Sequence, residues 1–311
     1  GVSEGELNAT GFYVHFETGP VVDDVVPLSG GQSGGAVLTI FGRHFRKEGT
    51  VSCQFGQTVT PATVFSDQVM TCRVPWSSDF DVPLKIHSAG RVIQQPDLNF
   101  VYKRDPEILS LEPQFGPSRG RTLLSVIGSD FDGESVHCVF SNGTLTPAQS
   151  VSSSLIRCFT PPTEQNVLVV SVEVDGIGSK NSWEYDIKPS IESSFLAPSA
   201  GSVAGNTVIT VHGQNFLSTG QFVCKFGGLT LVRAEWISTT TVKCATPQSE
   251  VGNRTVEVSM NGNDFTTRGL IFVYLPRLQV LSILPSAGSV VGGTSVTFGG
   301  IGFGDYEEML C

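Results

Sequence analysis

Seven cysteines are the residues best placed to do chemistry, and six of them fall into three evenly spaced pairs. Cys53 and Cys72 lie 19 residues apart; Cys138 and Cys158, then Cys224 and Cys244, lie 20 apart. The first member of each pair stands in "CQF", "CVF" or "CKF", and the second opens Cys-x-x-Pro, ending at Pro75, Pro161 and Pro247. Metal ligation calls for close pairs such as Cys-x-x-Cys, and the sequence has none. Free buried thiols would have no reason to come in twos. One disulfide per pair is the economical account. Closing a ~20-residue loop is worth about 3 kcal/mol in the chain-entropy model, and the bond implies an oxidising compartment. Cys311 follows Phe303 as Cys224 follows Phe216 and Cys53 follows Phe45. It is expected to pair with a residue beyond the end of this chain.

Other chemistries have less support. Gly31-Gln32-Ser33-Gly34-Gly35 matches Gly-x-Ser-x-Gly, but that elbow needs a strand before it and a helix after it. Here a turn precedes a strand, and the corresponding positions elsewhere are Arg119, Ala204 and Val291. Asp130, Asp132 and Glu134 could offer oxygens to a hard cation, as could Asp23 and Asp24. Both groups lack a full ligand spacing, and a solvated acidic loop is the expectation, without metal or cofactor. His15, His44, His87, His137 and His212 have no second ligand at useful spacing. Trp183 takes the place of a strand phenylalanine and is expected in a core; Trp76, just past Cys-x-x-Pro, is a candidate exposed aromatic. Three Asn-x-Ser/Thr triplets, at Asn8, Asn142 and Asn253, fall at expected turns or strand starts and are candidate N-glycosylation acceptors.

The elements that position these residues are read from a repeat. Pro-x-x-Gly-x-x-x-Gly occurs at Pro27, Pro113, Pro198 and Pro285, 86, 85 and 87 residues apart. An apolar–polar–apolar alternation follows each time, as at Leu38–Thr39–Ile40 and Ile209–Thr210–Val211, the period of a half-buried strand. Next comes Gly-x-x-Phe: Gly42 with Phe45, Gly128 with Phe131, Gly213 with Phe216, Gly300 with Phe303. Each unit closes on an aromatic strand, "NFVY", "SWEY" or "IFVY", and a proline follows closely.

Composition agrees with strands and tight turns. The 311 residues include 35 Gly and 17 Pro, with 40% hydrophobic and only 15% charged residues. The net charge of −10, with no cluster of Lys and Arg, argues against nucleic-acid binding. No apolar run is long enough to span a membrane, and residues 1–10 lack the features of a signal peptide.

This succession (Pro-x-x-Gly-x-x-x-Gly, strand, Gly-x-x-Phe, "VSCQFG" or "FVCKFGG", "TTTVKCATP", then "IFVY") resembles the IPT/TIG family along the whole chain. The second copy departs most, reading "CVFSNGT" where the others have Phe-Gly. The resemblance implies an all-β fold of tandem immunoglobulin-like β-sandwiches, and the short proline-containing junctions predict a rod-like array. About seven short alternating strands per repeat point the same way independently. The expected domains are residues 19–104, 105–188 and 189–276, preceded at 1–18 by the end of another and followed at 277–311 by the start of a further one.

Fold alone does not give function. The expectation is a non-enzymatic protein outside the cell or at its surface. It would be a semi-rigid spacer or filament building block touching other protein chains, through self-association into a fibre among other modes, and carrying N-linked glycans. The alternative is an ectodomain segment of a plexin- or Met-like receptor or adhesion protein that binds a protein ligand. A weaker option is an accessory region of a carbohydrate-active enzyme.

Overall fold

The computed structural model describes residues 4–5, 14–15, 19–46, 50–93 and 97–303. Every regular element among them is a β-strand. The chain divides into two compact units. One comprises Gly1–Ser110, Val126–Cys158 and Val170–Trp183, and the other Leu111–Ser125, Phe159–Val169 and Glu184–Cys311. The middle repeat therefore contributes strands to both.

In the first unit, the first repeat is a sandwich. One layer pairs Val21–Val26 with Val37–Arg43 and that strand with Val69–Arg73. The other pairs Val51–Phe55 with Asp81–Ser88 and that strand with Leu98–Lys103. Ser29–Gly31 adds to Leu98–Lys103 in parallel. Strand Thr58–Val64 joins the layers: Thr58–Pro61 pair with Val51–Phe55, whereas Ala62–Val64 pair with Val69–Arg73. The alternation read from sequence has its physical outcome here, since Leu38 and Ile40 are fully buried while Val37 and Phe41 face outward. Their partners in the core are Met70, Leu84, Ile86, Phe100 and Tyr102.

In the second unit, the third repeat repeats this construction. Thr230–Ser238 pairs first with Val223–Phe226 and then with Thr241–Ala245. Ile209, Val211, Phe216, Val242, Val256, Val258, Phe272 and Tyr274 fill the core. A two-stranded hairpin, Gln279–Leu284 with Thr297–Ile301, follows.

The recurring Gly-x-x-Phe has a steric cause. A side chain on Gly42 would strike the Val21 carbonyl oxygen and the Phe45 ring; Gly128 meets Glu107 and Phe131, and Gly213 meets Glu192 and Phe216, in the same way. The phenylalanine lies over the bare glycine, so neither residue can change alone. Between them sits a residue in the left-handed region: His44 (φ 60°), Asp130 (59°), Asn215 (64°) or Gly302 (86°). Asp and Asn tolerate that conformation better than most residues.

Candidate functional site

All three cysteine pairs are bonded: Cys53–Cys72, Cys138–Cys158 and Cys224–Cys244, with Cα atoms 6.3, 6.4 and 6.4 Å apart. The six are buried. Each bridge ties Cys-x-x-Pro to a strand of the opposite layer in the first and third repeats. The second glycine of the proline motif serves the same segment. Gly34 (φ +73°) and Gly205 (φ +76°) lie so close to the backbones of Pro75 and Pro247 that a Cβ would overlap them. The closing tyrosines complete the clamp, because Tyr102 Oη donates to Pro75 O and Tyr274 Oη to Pro247 O, both at 3.0 Å. Burial raises both phenols, Tyr102 to about 12.

Tyr185 differs. Its hydroxyl is buried with no hydrogen-bond partner, while Thr122 Oγ1 beside it donates to Asp264 Oδ2 at 2.8 Å. Burial again pushes the phenol up. Tyr102→Phe and Tyr274→Phe are each expected to cost about 1 kcal/mol, whereas Tyr185→Phe should be close to neutral. Denaturant unfolding of the three variants checks this order.

Ser33 sits in a turn between two strands, not between a strand and a helix. Its N–H (2.9 Å) and Oγ–H (2.7 Å) both donate to Asp105 Oδ2, and Asp105 is buried directly after the first repeat's last strand. The serine fastens a repeat junction. Around it, Lys103 Nζ meets Asp175 Oδ2 at 3.1 Å and Arg104 Nη1 lies 3.9 Å from Asp130 Oδ1. Arg104 also covers the Phe80 ring, 5.7 Å from its centroid. Lys180 N–H donates to Pro106 O. Phe80, Lys103, Arg104 and Asp130 line a cleft together with Asp132 and Ile177.

Of the acidic candidates, Asp132 and Glu134 are exposed, whereas Asp130, Asp23 and Asp24 have partners. Asp130 holds a left-handed turn and faces Arg104 rather than standing free in solvent. Asp23 pairs with Arg43, and Asp24 accepts the Val25 N–H. Among the described residues, no three His, Cys, Asp or Glu side chains converge as metal ligands, so Asp130, Asp132 and Glu134 are not brought together as a cation site.

Asp175 was not singled out by sequence. At the tip of a hairpin in the second repeat, it accepts N–H bonds from Glu134 and Ser135 at 3.0 Å each. The Ser135 N–H, then Lys103, hold its carboxyl below the ordinary value. Because the folded pKa is depressed, its contribution is present above the ordinary aspartate pKa and is lost as pH falls through the lower folded value. The amide resonances of Glu134 and Ser135 are therefore expected to titrate with a midpoint below the ordinary aspartate value, and Asp175→Asn should abolish that titration. A midpoint at or above the ordinary value would contradict the assignment.

The corresponding loop of the third repeat reaches the second within the other unit. Asn261 Nδ2 donates to Phe115 O (2.9 Å) and Asp264 Oδ2 (2.8 Å), and Asn263 Nδ2 donates to Leu123 O (3.1 Å). The Thr122–Asp264 bond joins them. Phe115 packs on the third repeat's core with Ile191. A polar turn and an apolar anchor thus tie adjacent repeats.

The remaining candidates are dispersed. Trp76 is 74% exposed. Trp183 is half-buried rather than a core residue, because its Nε1–H reaches Ile108 O at 3.0 Å. His87 meets Gln54, His137 lies near Ser135, and His212 stacks on Phe195. Asn142 and Asn253 are exposed. Asn8, Cys311 and the His15 side chain lie outside the described residues.

Human Fibrocystin-L is 24% identical over 294 residues, covering 91% of this chain and 7% of that protein. The mouse protein is 24% identical over 292 residues, with the same coverage. The chain thus spans only a small part of these relatives. Among solved structures, a Plexin A4 full extracellular region aligns with 89% of this chain and 28% of its own at 18% identity and a TM-score of 0.43. The IPT/TIG domain family matches residues 20–102, 106–187 and 189–274. The chain belongs to the IPT/TIG family, as three tandem copies of its domain.

Proposed function

We propose that this chain is a non-enzymatic extracellular spacer, a stretch of semi-rigid repeats that sets distance and presents lateral surfaces to other protein chains, further copies of itself included. Its working domains on this reading are residues 19–104, 105–188 and 189–276, with 1–18 and 277–311 belonging to neighbouring ones.

The observation that carries the reading is the direct bonding between successive repeats. Asp264 with Thr122, and Asn261 with Phe115 O, leave the second junction little freedom. Ser33 and Asp105 brace the first. Linkers this short and this well bonded act as stiff spacers rather than flexible coils. Buried disulfides support an oxidising location.

Residual dipolar couplings test the stiffness. Wild-type protein should give one alignment tensor on both sides of the second junction. An Asn261→Ala/Asp264→Ala variant should give two. Two tensors in the wild type would remove the spacer reading.

A second reading, an ectodomain segment that binds a protein ligand, is favoured by the first repeat's exposed Phe65 and Trp76. Aromatic side chains are enriched at binding hot spots.

A further inference from the structure

We infer that Asn142 and Asn253 carry N-linked glycans, and that in the second and third repeats the sugar rises from one layer of the sandwich and leaves the other bare. This rests on the extracellular reading.

Asn142 stands at a hairpin turn between Val136–Phe140 and Leu145–Pro147. Phe140 N–H donates to Thr144 O and Gly143 N–H to Phe140 O, which closes the turn. Asn142 Oδ1 accepts the Thr144 N–H at 3.1 Å. The side chain is exposed, and its amide nitrogen is left to face solvent.

Asn253 lies in strand Gly252–Ser259, where burial alternates. Val256 and Val258 point into the core, while Asn253 and Thr255 point out. Across the ladder, Asn253 faces Val273 and Thr255 faces the exposed Ile271. A sugar on Asn253 would rise beside this apolar strip of sheet and shield it.

The two positions agree in architecture. Val136–Phe140 and Val223–Phe226 are corresponding strands, each carrying the first cysteine of its pair. Gly252–Ser259 pairs directly with Val223–Phe226. Both acceptors thus belong to the layer of the first cysteine. The layer of the second cysteine, with Val208–Gln214 and Thr241–Ala245 in the third repeat, has no acceptor triplet. It presents Phe195, Val208 and Ile237 uncovered.

The transfer balances with a lipid-pyrophosphate-linked oligosaccharide as donor. The Asn Nδ2 bonds to the anomeric carbon, the bond from that carbon to the pyrophosphate oxygen breaks, the lipid pyrophosphate leaves, and an amide proton is lost to solvent.

The test is peptide mapping of the chain secreted from eukaryotic cells, before and after peptide-N-glycosidase, which turns each occupied Asn into Asp. The Asn142 and Asn253 peptides should both convert. Asn142→Gln and Asn253→Gln should each remove one glycan mass, and so should Thr144→Ala and Thr255→Ala, which keep the asparagine. Unmodified asparagines in protein with closed bridges would overturn this inference alone. Unmodified asparagines with free cysteines would overturn the extracellular reading with it.

Discussion

Replacing Cys224 and Cys244 together by alanine is expected to destabilise the third repeat by about 3 kcal/mol, the chain-entropy value for a loop of ~20 residues. The bridge closes a 20-residue separation. It joins Val223–Phe226 to Thr241–Ala245, whose pairing otherwise runs through the layer-switching strand Thr230–Ser238. Small domains hold only ~5–15 kcal/mol in total, so the loss is a large share. Both cysteines are replaced to avoid leaving a reactive thiol. Denaturant unfolding followed by Trp236 fluorescence reads the change, since the Trp236 Nε1–H is bound to Phe216 O within this repeat. A loss below about 1 kcal/mol would mean that the layers are held mainly by packing.

Gly213→Ala should cost a comparable amount by another route, about 3 kcal/mol from overpacking. The new Cβ would overlap the Glu192 carbonyl oxygen and come within 2.6 Å of Phe216 Cζ. The carbonyl belongs to the Glu192–Ala197 ladder with Val208–Gln214 and cannot retreat without breaking it. The ring is buried and can leave only by vacating the core. Gly178→Ala is the control, because nothing lies within 4 Å of its Cβ position. It should be nearly silent when unfolding of its own repeat is followed through Trp183, whose Nε1–H is bound to Ile108 O there. Equal effects of the two substitutions would show that general strand propensity, not the Gly–Phe contact, explains the recurring pair.

Local features were legible because their causes lie close in sequence. Gly213 and Phe216 are three residues apart and explain each other. The cysteine spacing reflects two strands and their connection, and the alternation at Ile209–Val211 reflects one buried layer. The junctions were not legible. Asn261 matters through a bond to Phe115, 146 residues away, and Asp264 through one to Thr122, 142 residues away. No local pattern separates their loop from any polar turn.

Asp130 was only partly legible for a related reason. The acids of "SDFDGES" read as a solvated loop, and Asp132 and Glu134 are exposed; what sequence did not show is that Asp130 holds a left-handed backbone and faces Arg104. Trp183 was expected in the core on the strength of its phenylalanine counterparts. An indole N–H needs an acceptor when buried, and reaching Ile108 O leaves the ring half-exposed.

Stretching single molecules of the oxidised chain, with and without reductant, tests most directly whether it is a series of bridge-clamped repeats. Each repeat should unfold as one step under oxidising conditions. Reductant should lengthen every step by the loop that the bridge withholds, 20 residues in the third repeat, or about 70 Å of extended chain. Steps of identical length in both conditions, or smooth extension without steps, would contradict the account.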